Sequence, residues 1–262
     1  PVEHEPGRAL EPEIRGAVDF RNVSFGYDYP DEVLKGITFH VDPGQTVGIL
    51  GSTGSGKSSL VHLMQRLYEV TGGEILIDGV NVNDIERHHL RRNIGIVMQE
   101  PFLYSRTIAE NIRFGRPGAT DEEMYECTRA ASIHDTILGF DDGYDTIVGE
   151  RGVTLSGGEK QRVAIARMLL QNAPILIFDD SMSAVDAETD AAIRAALSRR
   201  RSGVTTFIIS HRITTLSESD FIIVLEGGRL TQLGTHAELL GREGLYRRIA
   251  EIQSAAVERV GE

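Results

Sequence analysis

The nine residues GSTGSGKSS, Gly51 to Ser59, constrain this chain more than any other stretch. They follow directly on QTVGIL, a short apolar run with strand character, and lead directly into KSSLVHLMQRLY, whose apolar residues recur at helical spacing. A strand, a turn of the form G-x-x-x-x-G-K-[ST] and a helix, in that order, form the setting of a phosphate-binding loop. The glycines let the backbone wrap with its N–H groups pointing inward, and the start of the helix adds a dipole that favours an anion. Gly51, Ser52, Thr53, Gly54, Ser55, Gly56, Lys57, Ser58 and Ser59 are therefore the candidate nucleotide-phosphate site. Lys57 is placed to reach the β- and γ-phosphates as a point charge, and Ser58 to offer its hydroxyl to Mg2+.

Around this loop, strand-like and helix-like segments alternate. VDFRNVSF and GITFHV precede it with apolar–polar alternation, and EILIDG and NIGIVMQ follow the first helix. From about Thr107 to Leu170 strand character is lost: TDEEMYECTRAASI, with Thr120 and Asp121 as candidate caps, and GEKQRVAIARMLL both read as helices. Three apolar strands, PILIFD, TTFIIS and DFIIVLEGG, come next, and one closing helix is expected around ELLGREGLYRRIAEIQ. Strands interleaved with helices imply an α/β fold on a largely parallel sheet, with the helical block, about 101–171, as an insertion. The opening PVEHEPGRALEPE, rich in Pro and Glu, reads as a linker over residues 1–16, which leaves 17–253 as the domain and 254–262 as a tail. There is no internal repeat.

The net charge of −12 argues against a broad grip on DNA or RNA, which needs a basic face. No apolar run approaches the ~18 residues that span a bilayer, and the start lacks the order of a signal peptide. The lone Cys127 has no internal disulfide partner and fits a reducing compartment as a small half-buried hydrophobe. His88 and His89, in IERHHLRR, read as solvated helix positions, with no other ligand type at metal-binding spacing.

Two further motifs carry chemistry. ILIFDD ends a buried strand in two carboxylates, and the first, Asp179, is placed at the sheet edge where α/β folds bind ligands and can hold the metal. A solvated turn is the plainer reading of such a pair. LSGGEKQR, Leu155 to Arg162, opens a helix with Ser156, Gly157, Gly158 and Glu159, a second anion-binding device at a positive helix end. One phosphate group does not need two such devices, so the second is expected to serve a nucleotide held by another subunit.

Together these residues resemble the nucleotide-binding domain of ATP-binding-cassette (ABC) transporters, from about Val18 to Gln253. In that resemblance Gly51 to Ser58 is the phosphate loop, Gln99 in IVMQEPFLY the glutamine loop, LSGGE the signature, Ser183 to Asp186 (SAVD) the dimer-contact loop and His211 in IISHR the switch histidine. Tyr27 in FGY stands where an aromatic stacks on adenine, with strand-edge packing as its plainer reading and Tyr29 as a weaker candidate. TIVGERG, Thr146 to Gly152, is similar to the cross-contact loop of the exporter branch. The resemblance implies a P-loop core with a mostly parallel sheet, an N-terminal antiparallel β subdomain and an inserted helical subdomain.

It also implies ATP and Mg2+ as ligands, with Ser58, Gln99 and Asp179 at the metal, Lys57, Gln99, Asp180 and His211 in hydrolysis, Ser156, Gly157, Gly158 and Glu159 against the partner's ATP, and Ser183 and Asp186 between domains. The expected partners are a second nucleotide-binding domain and an upstream transmembrane domain, at the cytoplasmic face of the cell membrane, with no nucleic acid. One residue departs from the pattern. After the metal acid the family usually has glutamate, whereas this chain has Asp180. The two acids have nearly the same basicity, so reach is the difference. A carboxylate withdrawn by about 1.5 Å, at a site where ångström-scale misplacement costs ~10²-fold, should leave ATP binding intact and weaken hydrolysis. A non-identical half-transporter carrying the usual glutamate is the expected partner. Two other readings are a regulatory ATP-binding module with little turnover and a soluble cassette ATPase acting on DNA or ribosomes, the latter disfavoured by the acidic charge.

Overall fold

The computed structural model describes residues 9–28, 31–149, 154–181, 187–198 and 203–260. The loop after β3 (Thr46–Gly51) leads into α1 (Lys57–Met64), as the motif requires. Before it come β1 (Val18–Phe25) and β2 (Leu34–Val41); after it come β4 (Gly72–Ile77), β5 (Val80–Asn81), α2 (Arg87–Arg92) and β6 (Ile94–Val97). The helical block contains α3 (Ile108–Arg113), α4 (Asp121–Ala130), α5 (His134–Leu138), a 3-10 turn (Gly143–Asp145) and α6 (Gly157–Gln171). It is followed by β7 (Ile175–Asp179), α7 (Ala187–Ser198), β8 (Thr205–Ile209), α8 (Ile213–Leu216), β9 (Phe221–Glu226), β10 (Arg229–Gly234), α9 (His236–Leu240) and α10 (Leu245–Val260).

The strands form two sheets. An antiparallel sheet has the order β2-β1-β4-β5, and a six-stranded sheet has the order β10-β9-β3-β8-β7-β6, parallel except for β10. The sequence accounts for the difference. β2 alternates buried and exposed residues, as a sheet with one wet face does, whereas every residue of β7 and β8 is buried, as in a sheet covered on both faces. One apolar core, containing Phe20, Phe39, Ile49 and Phe207, fills the space around α1 between the sheets; a second, containing Ile112, Met124, Ile165 and Phe178, joins the helical block to the other side. The parallel sheet and the inserted helices expected from the sequence are present.

Several local expectations are corrected. The single closing helix is two helices, because a capping box between Thr235 and Glu238 starts α9 early and the chain then breaks over residues 241–244 before α10. β10, α7 and the short α3, α5 and α8 are additional to the elements that the sequence pattern marks. His89 is not a solvated helix position: its ring is half-buried and donates from Nε2 to the Pro12 carbonyl at 2.8 Å. The segment read as the end of a linker lies on the domain. Leu10 pairs with the strand-like backbone at Ile85, Ile14 is buried, and the Asp78 carboxylate accepts N–H bonds from Arg15, Gly16 and Ala17 at 2.7–3.1 Å.

Candidate functional site

The loop at Gly51 to Ser59 is built to receive an anion. Gly54 and Gly56 have positive φ (78° and 98°), a conformation that side chains disfavour, and a Cβ on Gly56 would collide with Leu34. Gly56 is the N-cap of α1 and supplies no side-chain cap, and the first turn of that helix carries no acid. The contrast with other helices is informative. α3, α4, α6 and α9 each close a capping box, in which the N–H of a Ser or Thr cap and the N–H of the Glu three residues on are both satisfied by side chains. α1 leaves its donors for something else. Ser55 Oγ, buried inside the loop, has no hydrogen-bond partner among the described residues.

Lys57 is 8% exposed and donates from Nζ to the carbonyls of Gly51 at 2.8 Å and Ser52 at 3.0 Å. Burial pushes its ammonium below the usual lysine range, opposed by the charges of Asp179 and Asp180. Ser58 Oγ donates to Asp179 Oδ1 at 3.2 Å, so the hydroxyl and the acid singled out for the metal lie side by side. Two hard oxygen donors suit Mg2+, which takes few protein ligands and keeps water and phosphate oxygens. Among the described residues no group of three or more His, Cys, Asp or Glu offers a denser cage. Tyr27, half-exposed beside α1, holds Ser59 Oγ at 2.9 Å through its hydroxyl and leans edge-on against Phe25 and Tyr68. Its hydroxyl is thus held at the last residue of the loop.

Strand register gathers the remaining groups. Val97 pairs with Phe178, Asp179 with Ile209 and Ile49 with Ile209, so Gln99, Asp180, His211 and the phosphate loop all leave the carboxyl edges of adjacent strands. Asp180 turns away from β7 with φ 48°, a left-handed position, while its N–H donates to Ile209 O at 3.1 Å. Burial pushes its carboxyl above the usual range, against the lowering influence of His211. Gln99 and His211 are exposed. At the start of α6, Ser156 Oγ accepts from Glu159 N–H at 3.3 Å and Ser156 N–H donates to Glu159 Oε2 at 2.7 Å, a closed capping box. Ser183, Asp186, Tyr29 and the end of TIVGERG at Glu150 to Gly152 lie outside the described residues.

The protein-family model described as ABC transporter matches residues 34–183, which include the phosphate loop, Gln99, the signature and Asp179. The chain belongs to the ABC transporter family. Its relatives include the export ATP-binding/permease protein YgaD of Bacillus subtilis (strain 168), 45% identical over 251 residues, covering 95% of this chain and 43% of YgaD. The beta-(1→2)glucan export ATP-binding/permease protein NdvA of Bartonella bacilliformis is 46% identical over 238 residues, covering 91% of this chain and 40% of NdvA. Among solved structures, a bacterial Atm1-family ABC exporter with ATP bound matches with TM-score 0.90 and 43% identity over 95% of this chain and 44% of that one. The chain thus spans less than half the length of these relatives. It carries the ATP-binding part of an ABC transporter, and no described helix is long and apolar enough to cross a membrane.

This ABC domain also uses residues that its motifs do not reveal. Gln161, buried in α6, donates to Met98 O at 3.3 Å and so ties the signature helix to the residue before Gln99. Arg167, further along α6, donates to Asn111 O at 2.7 Å, Phe102 O at 3.0 Å and Asn111 Oδ1 at 3.1 Å. Asn111 in turn holds Tyr104 through both backbone groups. The glutamine loop is therefore pinned to the helix that begins with the signature. On the other side Gln253 of α10 brackets His211, donating to its carbonyl at 2.6 Å and accepting from Ile213 N–H at 2.9 Å.

Proposed function

We propose that this chain is the ATP-binding and hydrolysing motor domain of an ABC exporter, working as half of a head-to-tail pair closed around two ATP molecules. The observation that carries the pairing is the glycine pair at the start of α6. A glycine in a helix costs up to about 1 kcal/mol relative to alanine. Neither Gly157 nor Gly158 has a positive φ; a Cβ on Gly157 would meet nothing within 4 Å, and one on Gly158 only the end of the Arg162 side chain at 3.9 Å. Nothing among the described residues requires glycine at either position. Close approach of a nucleotide held by a second domain would require it.

Within its own half, the chain binds and positions. Lys57 and the uncapped start of α1 hold the terminal phosphates, Tyr27 supports the base, and Ser58, Asp179 and Gln99 hold Mg2+, which when bound neutralises charge on the phosphate oxygens. Asp180 and Gln99 orient the attacking water, and His211 donates to the γ-phosphate. Phosphoryl transfer depends chiefly on such positioning. Asp180 is one methylene shorter than the glutamate usual there, so the site binds ATP and turns it over slowly. The intact Gln99, His211 and LSGGE speak against general decay, and a non-identical partner domain with the glutamate fits a chain that lends a sound signature to a stronger site.

The permease half of its relatives supports an upstream transmembrane domain, and with it a place at the cytoplasmic face of a cell membrane. The exposed aromatic cluster of Phe102, Tyr104 and Phe114, with successive ring centroids 5.0 Å apart, offers that domain an apolar seat. YgaD is named for multidrug export and NdvA for a glucan, at nearly equal identity to this chain, which is consistent with cargo being chosen outside this domain. The charge of −12 disfavours a nucleic-acid partner. A second reading, a regulatory ATP-binding module that pairs but hardly hydrolyses, draws on the same Asp180.

Light scattering of the domain with Mg2+ and either ATP or ADP tests the pairing, which should appear with ATP alone. Turnover of the Asp180→Glu variant separates motor from regulator: a large gain supports a motor with one shortened acid, and no gain together with negligible basal turnover supports the regulator.

A further inference from the structure

Glu159 occupies a place that the phosphate loop keeps free of acid. Of the donors at the start of α6, Ser156 N–H is taken by Glu159 Oε2 at 2.7 Å and Glu159 N–H by Ser156 Oγ at 3.3 Å. Gly157 N–H and Gly158 N–H make no hydrogen bond among the described residues, and the Ser156 hydroxyl, used there only as an acceptor, keeps its own proton to donate. Three donors thus remain unused among the described residues, with a carboxylate fixed among them. At α1 the corresponding turn has no acid at all. The capping box stabilises the helix and opposes an incoming anion at the same time.

We infer that Glu159 is a specificity-determining residue whose negative charge weakens the hold of the signature on the partner's nucleotide phosphate, and so sets how readily the pair reopens. The inference rests on the head-to-tail pairing proposed above. A carboxylate in the first turn of a helix offsets the positive end of its dipole and repels a phosphate at the same donors. Lys160 and Arg162 are the nearby cations in sequence; Lys160 is exposed, and the Arg162 guanidinium reaches back toward Gly158, 3.9 Å from where a Cβ there would stand, so it offsets part of the Glu159 charge. Neither replaces the Ser156 N–H that Glu159 takes. The signature of this chain faces the partner's site, so Glu159 acts on the nucleotide its own loop does not hold. In a pair whose other site turns over slowly at Asp180, a lightened grip at the second site keeps the interface from locking shut.

The test compares the unmodified domain, Glu159→Gln and Glu159→Ala in sedimentation with Mg2+ and ATP, at low and high salt, alongside thermal unfolding. Glutamine closes the same capping box without the charge. Glu159→Gln should keep the thermal midpoint and tighten ATP-driven self-association by about two- to five-fold for each engaged site, with the gain shrinking as salt screens the charge. Glu159→Ala should lower the midpoint by about 2–4 °C through loss of the box. An unchanged or weaker association of Glu159→Gln at low salt overturns the inference and leaves the pairing standing. An unchanged midpoint in Glu159→Ala overturns it too, since the carboxylate would then not be held among the donors. If none of the three proteins associates with ATP, the pairing itself fails and the inference falls with it.

Discussion

Ser58 Oγ and Asp179 Oδ1, 121 residues apart in the chain, lie 3.2 Å from each other where α1 begins and β7 ends. The fold spends two elements on bringing one hydroxyl to one carboxylate, and a shared Mg2+ explains that better than the hydrogen bond alone, which contributes only about 1 kcal/mol. Asp179→Asn should therefore keep the thermal midpoint within a few degrees while Mg2+ ceases to enhance nucleotide binding and turnover falls by about 10²-fold or more. Titration of a fluorescent nucleotide with and without Mg2+ checks the first effect and phosphate release the second.

Asp180→Glu restores the missing reach and should raise turnover by about 10-fold or more without changing nucleotide affinity. The pH dependence has a definite sign. Burial raises the Asp180 carboxyl above its ordinary value, so on acidification it takes up a proton sooner than a solvated aspartate would. On the proposed role, in which the ionised form orients water, the acid limb of the pH–rate profile should lie above the ordinary aspartate range. An acid limb at or below that range would remove Asp180 from the rate-limiting step.

At the start of α6, stability and function should move in opposite directions. Gly157→Ala fills open space at a helical φ, so it should stabilise the domain by about 0.4–1 kcal/mol. On the head-to-tail pairing proposed above, the same methyl would stand where a partner's phosphate approaches, and ATP-driven association should be lost. Calorimetry and sedimentation on one preparation read both, and an Ala variant that associates normally would refute the reading of the glycine pair.

His40 offers a test remote from the nucleotide. It stands opposite Asp19 across β1 and β2, with Nδ1 2.8 Å from Asp19 and Nε2 3.1 Å from Asp42. The hydrogen bond to Asp19, then that to Asp42, raises its pKa. The resulting stability is fully present below the unfolded-state value of about 6.5 and is lost as pH rises through the higher folded value. His40 is half-exposed, so solvent screening limits the effect to about 0.5 kcal/mol or less. Proton NMR of the His40 ring should give a midpoint above 6.5, and Asp19→Asn should bring it down.

The residues that could be found in the sequence are those whose role is local. Gly51 to Ser59 is legible because a strand, a glycine turn and a helix start are contiguous, and Asp179 because it ends an unbroken apolar strand. Thr120 announces α4 because its capping box closes within three residues. Gln161, Arg167 and Gln253 were invisible because their partners lie 63, 56 and 42 residues away and an isolated Gln or Arg in a helix carries no sign of what it holds. His89 misled for the same reason, its acceptor Pro12 being 77 residues distant. β10 escaped because RLTQLG, at the outer edge of the sheet, buries only its last residue fully and lacks the unbroken apolar run of the inner strands. The break between α9 and α10 needed a cap, Thr235, that the helical periodicity alone outvoted.

Gln253 grips the turn at His211 from both sides, yet it belongs to the last helix, which shares an apolar core with Ile213 and with Leu50 of β3. A small molecule or antibody that pries α10 from its place would displace that turn without entering the nucleotide cleft. Inhibition by this route would be non-competitive, unrelieved by raising ATP, and would depend on a surface quite different from the loop motifs that cassette ATPases have in common.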